Sequence, residues 1–227
     1  MRYGVVPSGG LGKRSQLSHS KELALVAGRP VIEYIFDRLK LAGIDQIFVT
    51  THADKVDLIK YLTNISPHRS SLKIVLGERK GLLDGIVSPG SSLRPTDELY
   101  FGLPDTVWYP ENGYKRIASV PNDIVLGVLP TDTPELYGSV TVAGGYAQSI
   151  IEKPSSTGSP WIWAFGKFRV SLIPQFLKLA EETPAFTTVL GGYALTSPIP
   201  VVTFRDGIYF DTGTPLGLAA TNHYVKT

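Results

Sequence analysis

The sequence predicts an α/β protein: a Rossmann-like, doubly wound, mixed and mainly parallel sheet carrying a small antiparallel elaboration. Three observations predict it. Apolar runs of strand length recur along the chain, several nearly continuous in Val, Ile, Leu and Phe, as in strands buried on both faces of a parallel sheet. Segments of helical spacing lie between the early runs, so the chain opens strand, glycine loop, helix, strand, helix, strand, a βαβαβ order. From about 110 to 167 the composition shifts to strands and turns, predicting an antiparallel elaboration over the carboxyl edge of the sheet.

The first strand is "YGVVP". A helix follows "GRP": Ile32, Ile35, Phe36 and Leu39 form one apolar stripe, Pro30 precedes it, and Gly43 suits a C-terminal cap. "QIFVTTH" is the second strand. Asp54 is a good N-cap for a helix running toward Asn64. The strands "LKIVLGE", "ELYFGLP", "DIVLGVLP", "SVTVAG", "SIIEK" and "WIWAFGKF" come next. A third helix is predicted from Val170 to Glu182, with Ile173, Phe176, Leu177 and Ala180 on one face. The strands "VVTF" and "IYFD" precede a last helix from near Pro215 through "LGLAATNHYV". No internal repeat, low-complexity tract or linker divides the chain, so 1–227 reads as one domain.

Composition narrows the function. The 227 residues are 43% hydrophobic and 19% charged, a soluble globular balance. A formal net charge of +2 is too mild to argue for nucleic acid or an anionic membrane as partner. There are no cysteines, which excludes disulfides, thiolate metal sites and cysteine nucleophiles and fits a cytoplasmic protein. The amino terminus "MRYGVVPSGG" is unlike a secretory signal, and no apolar run approaches the ~18 residues of a membrane span. His19, His52, His68 and His223 lack metal-ligand spacing.

The stretch "PSGGLGKRSQLSHSK", Pro7 to Lys21, carries three glycines and three cations and no acid. It is not a P-loop, because Pro7 stands where the first glycine belongs and Arg14 follows Lys13. Nor is it a dinucleotide fingerprint: Gly10-Leu11-Gly12 continues to Ser15, and the second strand ends without an acid. What remains is specific in its physics. Gly9, Gly10 and Gly12 let backbone N–H groups approach an anion, while Lys13, Arg14 and Lys21 neutralise phosphate charge, Arg14 being able to hold two oxygens. On the residues alone, a glycine turn with solvated basic flanks stands beside the phosphate cradle.

Five ordered segments resemble the sugar-1-phosphate nucleotidyltransferases across essentially the whole chain. "GGLGKR" and, shortly after, "SKELALVAGRPVIEY" look like the family's opening signature. "GLLDG" (Gly81 to Gly85) resembles its base-reading turn, and "GLPDT" (Gly102 to Thr106) its strand-end aspartate. "GVLPTDTPELYGSVTVAGGYAQSIIEKP" (Gly127 to Pro154) resembles the stretch ending in E-K-P, and "YFDTGTPLGLAATN" (Tyr209 to Asn222) the closing segment. The resemblance implies an enzyme that joins a nucleoside triphosphate and a sugar 1-phosphate to give an NDP-sugar and pyrophosphate. It implies a mainly nucleotide-binding part at about 1–109 and a mainly sugar-binding and closing part at about 110–227.

It also implies roles. Ser8, Gly9, Gly10, Leu11, Gly12 and Lys13 would hold the nucleotide phosphates, and Asp84 with Gly85 the base. Arg14, Lys21 and Lys153 would act in catalysis, with Lys153 on the sugar phosphate. Glu152 and the Gly138 backbone would hold the hexose, Trp163 would wall it, and Asp105 and Asp211 would hold Mg²⁺, a hard cation suited to carboxylate and phosphate oxygens. Bland readings stand beside these: an aspartate after a strand is commonly a turn former, as we read Asp132, and Glu152-Lys153 could be a surface pair. Trp161, Trp163 and Phe165 form either an aromatic wall or plain strand residues with one face in the core.

Departures from the pattern matter too. Lys13 stands where a threonine is usual, adding charge. Leu83-Asp84 replaces the usual base-reading glutamine. An ionised aspartate only accepts hydrogen bonds, which favours the donor-rich edges of cytosine or guanine over thymine; Asp84 as a cap for the following segment is the alternative. The chain stops soon after its closing helix, so regulation through a C-terminal β-helix is not expected, while relatives of this kind commonly form homo-oligomers. Two other functions stay open: a cytidylyltransferase for a non-sugar alcohol phosphate, and a non-catalytic nucleotide-sugar sensor.

Overall fold

The computed structural model describes residues 1–11, 18–78 and 80–226. The strands are β1 (Arg2–Pro7), β2 (Leu25–Val26), β3 (Arg29–Pro30), β4 (Gln46–Thr51), β5 (Leu72–Leu76), β6 (Glu98–Gly102), β7 (Thr106–Tyr109), β8 (Ile124–Pro130), β9 (Gly138–Ala143), β10 (Tyr146–Glu152), β11 (Trp161–Arg169), β12 (Val201–Thr203) and β13 (Ile208–Asp211). The helices are α1 (Ile32–Leu41), α2 (Val56–Asn64), α3 (Leu82–Val87), α4 (Gly113–Ala118), α5 (Ile173–Ala180), α6 (Phe186–Ala194) and α7 (Pro215–Lys226).

Among the described residues the main sheet has nine strands, with β10-β9-β11-β6-β1-β4-β5 along one path and β8, flanked by β12, also pairing β11. β6, β1, β4 and β5 are mutually parallel. β11 reverses direction against β6, β8 and β9, and β12 returns parallel to β8. The antiparallel elaboration expected over the sheet edge is therefore an extension of the same sheet. Beside it, β7 and β13 form a two-stranded ribbon, with Asp211 opposite Thr106.

Alternation along each strand divides the core between the sheet's two faces. Val5, Leu99 and Phe101 pack on one face with residues of α3, α5 and α6; Val6, Tyr100 and Val125 pack on the other with residues of α1 and α4 and with Leu58 and Leu62 of α2. Both faces are covered, as the continuous apolar strands require.

α1 follows Pro30 and ends with Gly43 in the left-handed region (φ 76°), as its spacing predicts. α2 starts two residues later than the predicted cap, because the Asp54 carboxylate turns to His52 Nδ1 at 2.9 Å instead. The third predicted helix begins as a 3-10 turn over Val170–Leu172, and its face is narrower than expected: Phe176 is buried but Leu177 is about half exposed. α3, α4 and α6 lie outside the helices that the spacing predicts.

The aromatic run on β11 splits. Trp163 and Phe165, two apart, should share a face, but the register slips between them, with Trp163 opposite Val128 and Phe165 opposite Gly127. Trp163 joins one core face and Phe165 the other, where it stacks on Trp108 at 4.1 Å. No common wall of Trp161, Trp163 and Phe165 exists.

Candidate active site

The carboxyl ends of β1, β4 and β6 open onto a cavity of about 520 Å³, where an open α/β sheet ordinarily binds its ligand. Pro7 at the end of β1 lines it with Gly9, Gly10 and Leu11, and Thr50 and Thr51 at the end of β4 line it with His52. Gly81, Asp84 and Gly85 line it around the start of α3. Gly85 is bare for a reason: a Cβ there would meet Pro7 Cβ at 3.0 Å and Thr50 Oγ1 at 3.2 Å, and its carbonyl accepts from the Thr50 hydroxyl at 2.7 Å. The Asp84 carboxylate, in the first turn of α3, belongs to this end together with Glu78.

Lys21 reaches in from a short 3-10 turn, Lys21–Leu23, and its ammonium lies 2.5 Å from Asp105 Oδ2. Burial works against that charge. The hydrogen bond and charge of Asp105, helped by Glu22 and Asp211, outweigh it, so the Lys21 pKa is raised and the group stays cationic.

Asp105 and Asp211 are drawn together by the β7–β13 ribbon. Thr212 donates to the Asp105 carbonyl twice, from its backbone N–H at 2.9 Å and its hydroxyl at 2.8 Å. Both carboxylates line the cavity and flank the bare side of Gly213, where a Cβ would sit 2.8 Å from Asp211 Oδ1 and 3.2 Å from Asp105 Oδ2. Among the described residues no group of three or more His, Cys, Asp or Glu is arranged to hold a metal. Two converging carboxylates do fit a magnesium ion that takes its remaining ligands from phosphates and water, the usual arrangement for that ion.

The opposite end of the cavity is built by β9, β10 and α6. Gly138 must lack a side chain, because a Cβ there would lie 2.1 Å from Trp163 Nε1 and 3.0 Å from Thr187 Cγ2. The Trp163 indole donates to the Thr187 hydroxyl at 3.1 Å, which fixes the ring against the cavity floor. Consecutive strand residues face opposite ways, yet Glu152 and Lys153 both line the cavity. The reason is the backbone at Lys153, which is left-handed (φ 43°), a conformation costing a non-glycine residue about 1–3 kcal/mol. A hydrogen bond from Lys153 N–H to the Tyr137 carbonyl at 2.9 Å helps to hold it there.

The expected site residues thus fall into three groups. Gly9, Gly10, Leu11, Lys21, Asp84, Gly85, Asp105, Gly138, Glu152, Lys153, Trp163 and Asp211 share one cavity. Ser8 does not line it: the residue is fully buried, its N–H bonds the Thr50 carbonyl and its own carbonyl accepts from the Thr51 hydroxyl, so it ties β1 to β4. Gly12, Lys13 and Arg14 lie outside the described residues. Sequence reasoning missed Tyr137, Thr187 and Tyr209, which line the same cavity. The signal for the first and last was present, since Tyr137 precedes Gly138 in "LYGS" and Tyr209 opens "YFDTGTP". Thr187 had no such flag.

A family profile described as the MobA-like NTP transferase domain matches residues 4–184, spanning both ends of this cavity. The chain belongs to that family. This nucleotidyltransferase matches no curated protein significantly. Its fold is shared by a Bacillus anthracis protein assigned as a glucose-1-phosphate thymidylyltransferase and crystallised with sucrose: 16% identity, TM-score 0.88, covering 100% of this chain and 96% of the other. Two Acinetobacter baumannii structures are also similar at TM-score 0.82 and cover 99% of this chain and 93% of theirs. One is a UTP-bound UGPase at 22% identity, the other a UDP-glucose pyrophosphorylase at 24%. Among the described residues no helix is long and apolar enough to cross a membrane.

Proposed function

We propose that this nucleotidyltransferase joins a nucleoside triphosphate to a sugar 1-phosphate, giving an NDP-sugar and pyrophosphate. One observation carries the reading. A single cavity has a glycine loop and Lys21 at one end, Asp105 and Asp211 at its side, and Glu152 with Lys153 at the other end. That is room and charge for two phosphorylated substrates end to end. The neighbouring folds, one assigned as a glucose-1-phosphate thymidylyltransferase and one a UDP-glucose pyrophosphorylase, support it.

The chemistry is an in-line exchange at phosphorus. An oxygen of the sugar phosphate attacks the α-phosphorus; a P–O bond forms there while the bond to the bridging oxygen of the β-phosphate breaks, and that electron pair leaves with pyrophosphate. The attacking oxygen is already anionic, so no general base is needed and positioning with charge stabilisation does the work. Lys153 orients the attacking phosphate, Lys21 offsets charge developing at the α-phosphate, and Arg14 with the Gly9–Gly12 N–H groups holds the β- and γ-phosphates. Glu152 accepts from sugar hydroxyls. Asp105 and Asp211 would hold Mg²⁺, which supplies neutralisation of phosphate charge when bound.

Asp84 faces the base as an acceptor, so CTP or GTP is preferred over dTTP. A cytoplasmic location goes with that reading, since both substrates would be water-soluble phosphates. The test is pyrophosphate release with magnesium, CTP, GTP, UTP or dTTP, and a panel of sugar 1-phosphates. Turnover with at least one pair establishes the reading, and its absence with every pair defeats it. A clear dTTP preference would remove the role given to Asp84.

A further inference from the structure

Two side chains at the start of α2 grip the residues on either side of Lys21. Ser20 donates to Asp57 twice, from its backbone N–H and its hydroxyl, both at 2.7 Å. Glu22 is fully buried and takes the Lys55 ammonium between its two oxygens at 2.7 and 2.8 Å. Between these grips Lys21 turns the opposite way and delivers its ammonium to Asp105. A 3-10 turn spaces successive side chains about 120° apart, so one residue can face the cavity only if its neighbours are turned inward or sideways.

The buried pair is poorly explained by stability. Taking an ion pair out of water costs several kcal/mol per charge, and apolar side chains of similar volume usually hold a fold as well or better. Burial pushes the Glu22 carboxyl up in pKa despite the Lys55 ammonium beside it, so the native state retains part of that cost. The pair gives directional rigidity instead. It pins the turn to a helix whose Leu58 and Leu62 are locked in the core, a rigid base for a group that must be aimed.

We infer that Glu22 and Lys55, with Ser20 and Asp57, form a clamp whose task is to aim Lys21. They are positioning residues for the transfer step, not contacts of the substrates. The inference rests on the transferase reading, and it predicts that the clamp acts only through Lys21.

The experiment is a double-mutant cycle. Glu22→Met/Lys55→Met replaces the pair with apolar bulk and should keep the melting temperature within a few degrees of the wild type. Its kcat should fall about tenfold or more, the scale of displacing a positioned group by a fraction of an ångström. The same pair placed in a Lys21→Ala background should change kcat no further, because coupled residues are not additive. Unchanged kcat in the Met pair, or losses that multiply in the Lys21→Ala background, would overturn the inference. Ser20→Ala, which removes the hydroxyl bond of the outer grip and leaves the backbone N–H bond to Asp57, repeats the test should the Met pair not fold; its smaller loss should likewise vanish without Lys21. If the wild-type chain releases no pyrophosphate with any substrate pair, the transferase reading fails by itself. The clamp is then read from affinity for magnesium pyrophosphate. Weaker binding in the Met pair that disappears in the Lys21→Ala background supports it. No difference between wild type and Met pair, whether both bind or neither, overturns it.

Discussion

Gly213 stands between Asp105 and Asp211, and adding one methyl group there tests their convergence directly. The Cβ of Gly213→Ala would lie 2.8 Å from Asp211 Oδ1 and 3.2 Å from Asp105 Oδ2, where ordinary contact begins at 3.4 Å. The Asp211 carboxylate must therefore retreat by several tenths of an ångström and Asp105 by less. Both obstacles are side-chain oxygens, so the carboxylates swing and the fold absorbs the change. Gly213 lies outside the left-handed region, which leaves alanine unstrained and even gains about 0.4–1 kcal/mol from a stiffer unfolded chain. We expect stability by urea titration within about 1 kcal/mol of the wild type. Activity should respond differently. A misplacement of about 1 Å costs roughly 10²-fold, so half of that is worth about tenfold, or about 1.4 kcal/mol of barrier. Pyrophosphate release at saturating substrates, titrated with magnesium, should show kcat lowered about ten- to a hundredfold and a higher half-saturating magnesium concentration. A folded Gly213→Ala protein with wild-type kcat and magnesium demand would refute the argument that these carboxylates share one load.

Three further outcomes follow from the packing. Gly138→Ala puts a methyl 2.1 Å from the Trp163 indole nitrogen, so it should raise KM for the sugar phosphate about tenfold while leaving triphosphate KM within about twofold, as steady-state kinetics with each substrate varied would show. Gly127→Ala drives its Cβ into the Phe165 ring at 2.3 Å and should cost about 1–3 kcal/mol in chemical denaturation; Phe165→Leu in the same chain should relieve part of that loss, and purely additive losses would contradict the contact. Glu98 is worked upward by burial but held below its ordinary value of 4.5 by Lys167 at 2.8 Å and by Arg2. Its stabilisation is fully present above pH 4.5 and is lost as pH falls through the lowered folded-state value, so the stability gap between wild type and Glu98→Gln should shrink on acidification, and a constant gap would reject the pairing.

The parts of the fold that sequence patterning reveals are those whose periodicity is long and locally consistent. Continuous apolar runs place β1, β4, β5 and β6, and the stripe Ile32, Ile35, Phe36, Leu39 places α1. α3 and α4 are six residues each, under two turns, too short for a period to emerge. α6 is hidden for another reason. Its Gly191 and Gly192 lower helix propensity, yet Gly191 is needed because a Cβ there would meet the Ile150 carbonyl at 2.5 Å where the helix lies against β10. Tertiary approach overrides propensity at that point. The slip between Trp163 and Phe165 is equally invisible, since alternation carries no mark of where a ladder loses step.

The site divides along the same line. Residues announced by local chemistry, such as the glycines after β1 and the aspartates ending apolar strands, can be picked from the sequence, because each type is chosen for a backbone or a charge. Residues chosen for where the fold carries them cannot. Thr187 reaches the cavity only because α6 lies beside β10, and its hydroxyl matters because it steadies Trp163. Glu152 and Lys153 look like strand neighbours with opposed side chains until the left-handed turn at Lys153 brings both to one wall. That turn also argues for what the cavity must do. A strained lysine persists only where its surroundings hold it, and here the hydrogen bond from its N–H to the Tyr137 carbonyl joins the segment before Gly138 to the segment after Glu152. Lys153→Gly would relieve the backbone while deleting the ammonium. It should therefore gain stability yet lose most turnover, and the separation of those two effects distinguishes a residue kept for its charge from one kept for its fold.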